Sequence, residues 1–256
     1  MLRLRARTAR AERLIWVFGS PIGSGRLSSL VAELTGRTVW DEPLIGALFG
    51  HFYYRRSGHR IDRRGKHFIM RRAYARAWLE PMRDLVLSGA AVRFPDVARS
   101  DYLVIREPNG SIGAPLLMEA LPESRMILLV GDPLEIVASS LNDHGEAGEA
   151  PDELVRRRAE ALLQQLAGAK RAHDSHRGPK ALVRYEELRA DTLTTMRRLC
   201  AALEIDVEET ELVRAVSRHA REEVPGGSAL SAEQARLVEE VTAPLLEGPE
   251  PSRAAV

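Results

Sequence analysis

The chain has 256 residues, 45% of them hydrophobic, with 37 Lys and Arg balanced by 36 Asp and Glu for a net charge of +1. A chain of that length buries roughly three quarters of its unfolded surface in one core, so no metal or disulfide staple is needed. Cys200 is the single cysteine, which excludes an intrachain disulfide framework and fits a reducing, cytoplasmic setting. The near-neutral balance argues against a nucleic-acid binder, and no apolar stretch approaches a membrane span.

Residues 1–12 carry Arg3, Arg5, Arg7 and Arg10 and read as an arginine-rich arm. The apolar run Leu14 to Phe18 is too short for a signal peptide and leads straight into a glycine-containing turn, so it reads as a buried strand. Arg26 to Leu34 follows as a helix ended by Gly36, residues 39–43 read as a loop, and Leu44 to Phe49 as a short apolar helix. A long amphipathic helix is expected from Gly65 to Leu87, with Phe68, Ile69, Ala73, Ala77 and Leu85 on its buried stripe and Pro81 as a kink. The basic residues between His51 and Arg76 are mixed with that stripe and read as a solvated lid rather than a nucleic-acid patch.

Tyr102 to Arg106 is a second strand, closed by Glu107-Pro108-Asn109-Gly110-Ser111 and followed by a helix from Ala114 to Ala120. A strand at 126–130 then leads into a helix from Leu134 to Leu141, and Asp152 to Ala172 is strongly helical. A strand at 181–185 precedes helices near 192–204, 208–221 and 231–243, and a disordered tail is expected over 246–256. Strands alternating with helices predict a single α/β domain over 13–245: a P-loop-like three-layer fold with a central parallel sheet flanked by helices. On such sheets ligands sit at the carboxyl ends of the strands.

Two of these strands run into short turns and then helices, at Gly19–Leu27 and at Gly131–Ser139. Such turns aim backbone N–H groups and a positive helix end at an anion, so a pair of them suits a ligand with two separate anionic groups. A nucleotide phosphorylated on both sides of its ribose is one. Read as a P-loop, Ser20 to Leu27 has Ser in place of the first glycine, Arg26 in place of lysine and Leu27 in place of the magnesium-binding hydroxyl, which disfavours an ATP or GTP kinase.

Ser20-Pro21, Ser24-Gly25, the later Gly-Asp-Pro with Ser139, and Arg184-Tyr185-Glu186-Glu187-Leu188 together resemble the sulfotransferases that use 3′-phosphoadenosine 5′-phosphosulfate. The resemblance spans roughly residues 14–205, in the family's order, and includes a Lys-Glu-Pro-Asn-like loop of bacterial members at Arg106 to Asn109. It implies that Gly19, Ser20, Pro21, Gly23, Ser24, Gly25, Arg26 and Leu27 cradle the donor's phosphosulfate end. Asp132 through Ser139 would hold the 3′-phosphate, with Tyr185 near the adenine. The chain departs from the family pattern at Gly131, where an arginine usually precedes Asp-Pro, and at Ile22-Gly23, where the loop cation usually stands. A basic glycine-containing loop near the C-terminus is reduced to Arg218, His219 and Arg221 before Pro225-Gly226-Gly227.

Sulfuryl transfer needs in-line approach, positive charge at the sulfuryl oxygens and a base for the acceptor's proton. Glu42, in a strand-end loop beside Trp40, is the expected base, with Asp41 second and His51 a further alternative; Arg26 is the expected sulfate cation, and Arg99 and Arg106 are further positive charges at strand ends. The seven histidines show no metal-ligand spacing and no metal is expected. The expected partner is a small-molecule or glycan acceptor, with a homodimer left open. Two rivals stand beside the sulfotransferase reading: a degenerate relative that binds a nucleotide or partner without catalysis, and a P-loop kinase.

Overall fold

The computed structural model describes residues 9–36, 38–50, 72–95, 102–142, 151–219 and 230–245. Five strands form one parallel sheet: β1 (Leu14–Gly19), β2 (Val39–Asp41), β3 (Leu103–Arg106), β4 (Arg125–Val130) and β5 (Lys180–Arg184), in the order β2-β3-β1-β4-β5. Helix α1 (Ser24–Thr35) follows β1, and the described part of α2 covers residues 45–50 after β2. Next come α3 (Ala75–Arg93), a 3-10 segment at Pro108–Gly113 and α4 (Ala114–Ala120). Beyond β4 lie α5 (Pro133–Asn142) and α6 (Asp152–Ser175), and beyond β5 lie α7 (Tyr185–Ala190), α8 (Thr192–Ala202), α9 (Glu209–Arg218) and α10 (Ala232–Thr242).

β1 sits at the centre of the sheet, and every one of its residues is buried because both faces are covered. Its side chains alternate between two cores. Leu14, Trp16 and Phe18 join Met82, Val86 and Leu117 on one face, while Ile15 and Val17 join Leu27, Leu30, Met196 and Leu199 on the other. A third cluster, with Ile136, Leu141, Val155, Leu162 and Val238, ties α5, α6 and α10 together. Gly168 lets α6 press against the 3-10 segment, since a Cβ there would crowd the Ser111 carbonyl. That contact fixes the backbone just after β3.

All five strands point the same way, so the loops at 20–23, 42–44, 107–113 and 131–132 open at one edge of the sheet. The strands expected at 14–18, 102–106, 126–130 and 181–185 are present within a residue or so at each end. Residues 39–41, expected as part of a loop, are instead a strand paired in parallel with β3. Three residues carry no usable alternation, and only the β3 partner makes them a strand.

The stripe expected along the long helix is also corrected. Trp78, Met82, Val86 and Ala90 are buried at four-residue spacing, whereas Ala73, Ala77 and Leu85 face solvent and the helix runs on to Arg93. Phe68 and Ile69 lie outside the described residues, as do the basic segment over 51–71, the tail from 246 and residues 1–8 of the expected arm. Ala9 and Ala11 are buried, and the Glu12 carbonyl accepts from Arg125.

Ile105, fully buried in β3 between β1 and β2, is a packing keystone. Ile105→Ala is expected to cost about 2–5 kcal/mol in denaturant unfolding. Val92→Ala, at a side chain 77% exposed, is expected to stay within about 0.5 kcal/mol of the parent.

Candidate active site

The turn after β1 is built on tight backbone constraints. Gly19 has φ +105 and its amide donates to Ser111 Oγ at 2.8 Å, while the Ser20 amide donates to the Leu129 carbonyl at 2.8 Å. One bond ties the turn to the 3-10 segment after β3, the other to β4 itself. Gly23, with φ +76, caps α1, and a Cβ on it would run into the ring of Tyr185. Tyr185 is a buried wedge behind the turn: it is 1% exposed, its hydroxyl has no hydrogen-bond partner, and burial pushes its pKa up.

The amides of Gly25 and Arg26, in the first turn of α1, have no carbonyl four residues back inside the helix. Gly25 is exposed, and a Cβ on it would meet nothing within 4 Å. An anion can therefore approach these amides. Leu27 is fully buried in the core, so its side chain is not part of that surface. The Ser24 hydroxyl donates to the Pro21 carbonyl at 2.7 Å and accepts from Arg106 Nη1 at 3.0 Å.

Arg106 ends β3, and its guanidinium joins three loops. Nε is paired with Asp41, Nη1 reaches Ser24, and Nη2 lies 3.8 Å from Glu42 Oε1. Glu42 continues the β2–β3 ladder, its amide donating to the Arg106 carbonyl at 2.8 Å, and Asn109 Nδ2 donates to its Oε1 at 3.0 Å. Glu42 and Leu44 both have left-handed backbones, with φ 45 and 58, an uncommon pair of non-glycine strains flanking Pro43. Desolvation raises the Glu42 carboxyl above the usual range, and the nearby Arg106 charge opposes it. Trp40, expected to shield this carboxylate, packs edge-on to Phe94 and against α3 at Gly89.

Behind Glu42 lies Glu107, which is fully buried and pushed up to about 8 by desolvation, opposed by the Gly46 N–H and reinforced by the Glu42 charge. Its Oε1 accepts from the Gly46 amide at 2.5 Å, and its Oε2 has no partner. At the second turn, Asp132 caps α5 by accepting from Leu134 N at 2.8 Å. Its own amide donates to Glu186 Oε1 at 3.0 Å, so a carboxylate of the chain already sits where an anion was expected. Ser139 lies half-buried near the middle of α5.

A family model described as the sulfotransferase family matches residues 46–209, more than half of the chain. The chain belongs to the sulfotransferase family. The match begins after β1 and its turn, the stretch in which this sulfotransferase departs most from the expected loop. A comparison with curated sequences gives no match. Among solved structures, sulfotransferase STF9 from Mycobacterium avium is 14% identical with a TM-score of 0.60, covering 94% of this chain and 78% of its own. Mouse sulfotransferase SULT7A1, complexed with PAP, is 10% identical with a TM-score of 0.58, covering 95% of this chain and 88% of its own. Sulfotransferase STF1 from Mycobacterium tuberculosis is 15% identical at a TM-score of 0.51, covering 91% and 76%. At these identities the likeness is one of fold.

The expected residues of this sulfotransferase divide into two groups. Gly19, Ser20, Pro21, Gly23, Ser24 and Gly25 share the turn with Arg106, Asp41 and Glu42. Arg26 is held elsewhere, its Nη2 donating to Thr192 Oγ1 at 2.9 Å beside Tyr185. Arg218 and His219 pair with Glu33 near the far end of α1, about two and a half helical turns from Ser24. His51, Arg99 and Arg221 lie outside the described residues. Glu107 and Asn109 enter the sequence reading only as members of the loop motif at Arg106 to Asn109, and nothing local in the sequence signals that Glu107 is buried. Cys200 is buried with its thiol pushed up to about 11, far from a reactive thiolate. Among the described residues no group of three or more His, Cys, Asp or Glu is placed to hold a metal, and no helix is long and apolar enough to cross a membrane.

The wedge contact gives a paired expectation in thermal unfolding. Gly23→Ala, which forces a side chain into the Tyr185 ring at a left-handed backbone, is expected to destabilise by about 1–3 kcal/mol. Tyr185→Phe, which removes a buried hydroxyl with no partner, is expected to leave stability unchanged or raise it by about 1 kcal/mol.

Proposed function

We propose that this member of the sulfotransferase family moves a sulfuryl group from 3′-phosphoadenosine 5′-phosphosulfate to a hydroxyl of a small metabolite, glycan or natural product. The observation that carries the reading is Arg106: one guanidinium touches both the hydroxyl at the start of α1 and the loop of Glu42. A cation there lies between an anion-binding helix start and a carboxylate of raised pKa, the three elements that sulfuryl transfer asks for. The first-turn amides of α1 and Ser24 bind the donor's phosphosulfate end. Arg106 neutralises charge on the sulfuryl oxygens, in the place of the loop cation that Ile22-Gly23 does not supply. Glu42 takes the acceptor's proton, and Asn109 and Arg106 orient its carboxylate.

The second anion site fits the donor less well. Gly131 offers no cation, and the Asp132 amide is engaged by Glu186. That observation favours a second reading, a family member that binds a nucleotide without turning over. The kinase reading finds no support, because Leu27, at the magnesium-hydroxyl position, is a core residue.

Glu42→Gln is expected to lower donor consumption in the presence of acceptor by about a hundredfold or more while leaving binding of 3′-phosphoadenosine 5′-phosphate largely intact. Turnover close to that of the parent removes Glu42 from the role. At Gly131 a Cβ meets Ser20 Oγ and the Tyr185 Cβ at 3.4 Å, so the first atom of a side chain fits there without a clash. Gly131→Arg is expected to tighten 3′-phosphoadenosine 5′-phosphate by about tenfold in calorimetry, with 5′-AMP changing much less.

A further inference from the structure

Glu107 is the ionisable group in this site to which the mechanism assigns no task. It is fully buried in a niche walled by backbone: a Cβ on Gly110 would collide with its carboxyl group, and one on Gly46 would come within 3.3 Å of its Oε1. One oxygen accepts from the Gly46 amide at the start of α2, and the other has no partner. An ionised carboxylate with an unsatisfied oxygen in such a niche is costly, whereas a carboxylic acid of the same shape is tolerated.

The niche also sits at the root of the Glu42 loop. The strand end Arg106–Asn109 grips that loop at four points: the Arg106 side chain on Asp41, the Arg106 carbonyl on the Glu42 amide, Asn109 on the Glu42 carboxylate, and Glu107 on Gly46. Two left-handed residues, Glu42 and Leu44, are held between those grips. Strain of this kind persists only while its surroundings enforce it.

We propose that Glu107 is a positioning residue: as a buried neutral acid it pins the start of α2 and so holds the Glu42 loop, and its ionisation loosens that loop. The role rests on the reading of Glu42 as the proton acceptor. Among the described residues, the ionisable group whose charge acts on Glu107 is Glu42, from the β2–α2 loop. Arg106, from β3, is turned to Asp41, Ser24 and Glu42; α2 contributes the amides of Gly46 and Ala47, and the 3-10 segment contributes Gly110 and Ser111. Loss of the proton to solvent places a second negative charge beside Glu42 with no added cation to offset it.

The folded protein keeps the Glu107 proton up to about pH 8, whereas the unfolded chain releases it near 4.5. The stabilisation is therefore complete below pH 4.5 and is lost as pH rises through 8. Glutamine copies the neutral acid at every pH. The test measures thermal midpoints of the parent and Glu107→Gln from pH 4 to 9, together with carbon-13 titration of the glutamate carboxyl carbons in both proteins. The Gln variant is expected to match the parent at pH 4 and to exceed it progressively, by roughly 4 °C or more at pH 8. In the parent, Glu107 is expected to titrate near pH 8, with a matching inflection in the Glu42 signal that the variant lacks.

An absent or reversed stability gap, a Glu107 signal titrating below pH 6, or identical Glu42 titrations in the two proteins overturns the proposal. The parent's own titration decides the matter even where the variant does not fold. None of these readouts needs turnover, so they stand whether or not Glu42→Gln loses activity.

Discussion

The guanidinium of Arg106 is shared among the hydroxyl that begins α1, the end of β2 and the carboxylate of Glu42. Parallel strands deliver three separate loops to one edge of the sheet but do not set the distances between them. A planar cation with several donors does so, because each hydrogen bond fixes a direction as well as a separation. The loops themselves are locked from behind: Ser111 on the Gly19 amide, Tyr185 against Gly23, Glu107 on the Gly46 amide. Much of the irregular backbone here is therefore held by tertiary contacts, which suits the proposed alignment of donor, acceptor and base.

The two helix starts at which the proposed donor would place its anionic groups are built unequally. At α1 the first-turn amides have no partner inside the helix, Gly25 is exposed, and the Arg106 guanidinium reaches the neighbouring Ser24 hydroxyl. At α5 the helix start is already satisfied, by Asp132 from within and by Glu186 from α7. An incoming 3′-phosphate has to displace a carboxylate without an adjacent arginine at position 131 to help it. Arg189, whose guanidinium lies 5.7 Å from the Tyr185 ring centre and 3.9 Å from Glu135, brings a cation to the first turn of α5. The imbalance makes the phosphosulfate end the dominant determinant of donor binding in this account.

Four of the five strands were legible in the sequence because each centres on an apolar run bounded by turns, buried throughout at Leu14 to Phe18 and only at Ala181 and Val183 in β5. The turn glycines were legible for the same local reason. β2 was not, since Val39–Asp41 becomes a strand only through β3. The buried face of α3 was misplaced because small alanines at 73 and 77 mimic an apolar stripe, while Trp78 and Met82 carry the packing. Glu42 does lie in a strand-end loop, as its neighbours Trp40 and Pro43 suggest. Its pairing with Arg106, and the burial of Glu107, depend on contacts more than 60 residues apart in sequence, which no local pattern encodes.

The central claim is that the turn between β1 and α1 holds the anionic end of an adenosine 3′,5′-bisphosphate donor. Hydrogen exchange measured by mass spectrometry, with and without saturating 3′-phosphoadenosine 5′-phosphate, addresses it directly. The account predicts slowed exchange at residues 20–27, strongest at the first-turn amides of α1. Unchanged exchange across that segment, with the ligand unbound or protecting only other parts of the chain, contradicts it.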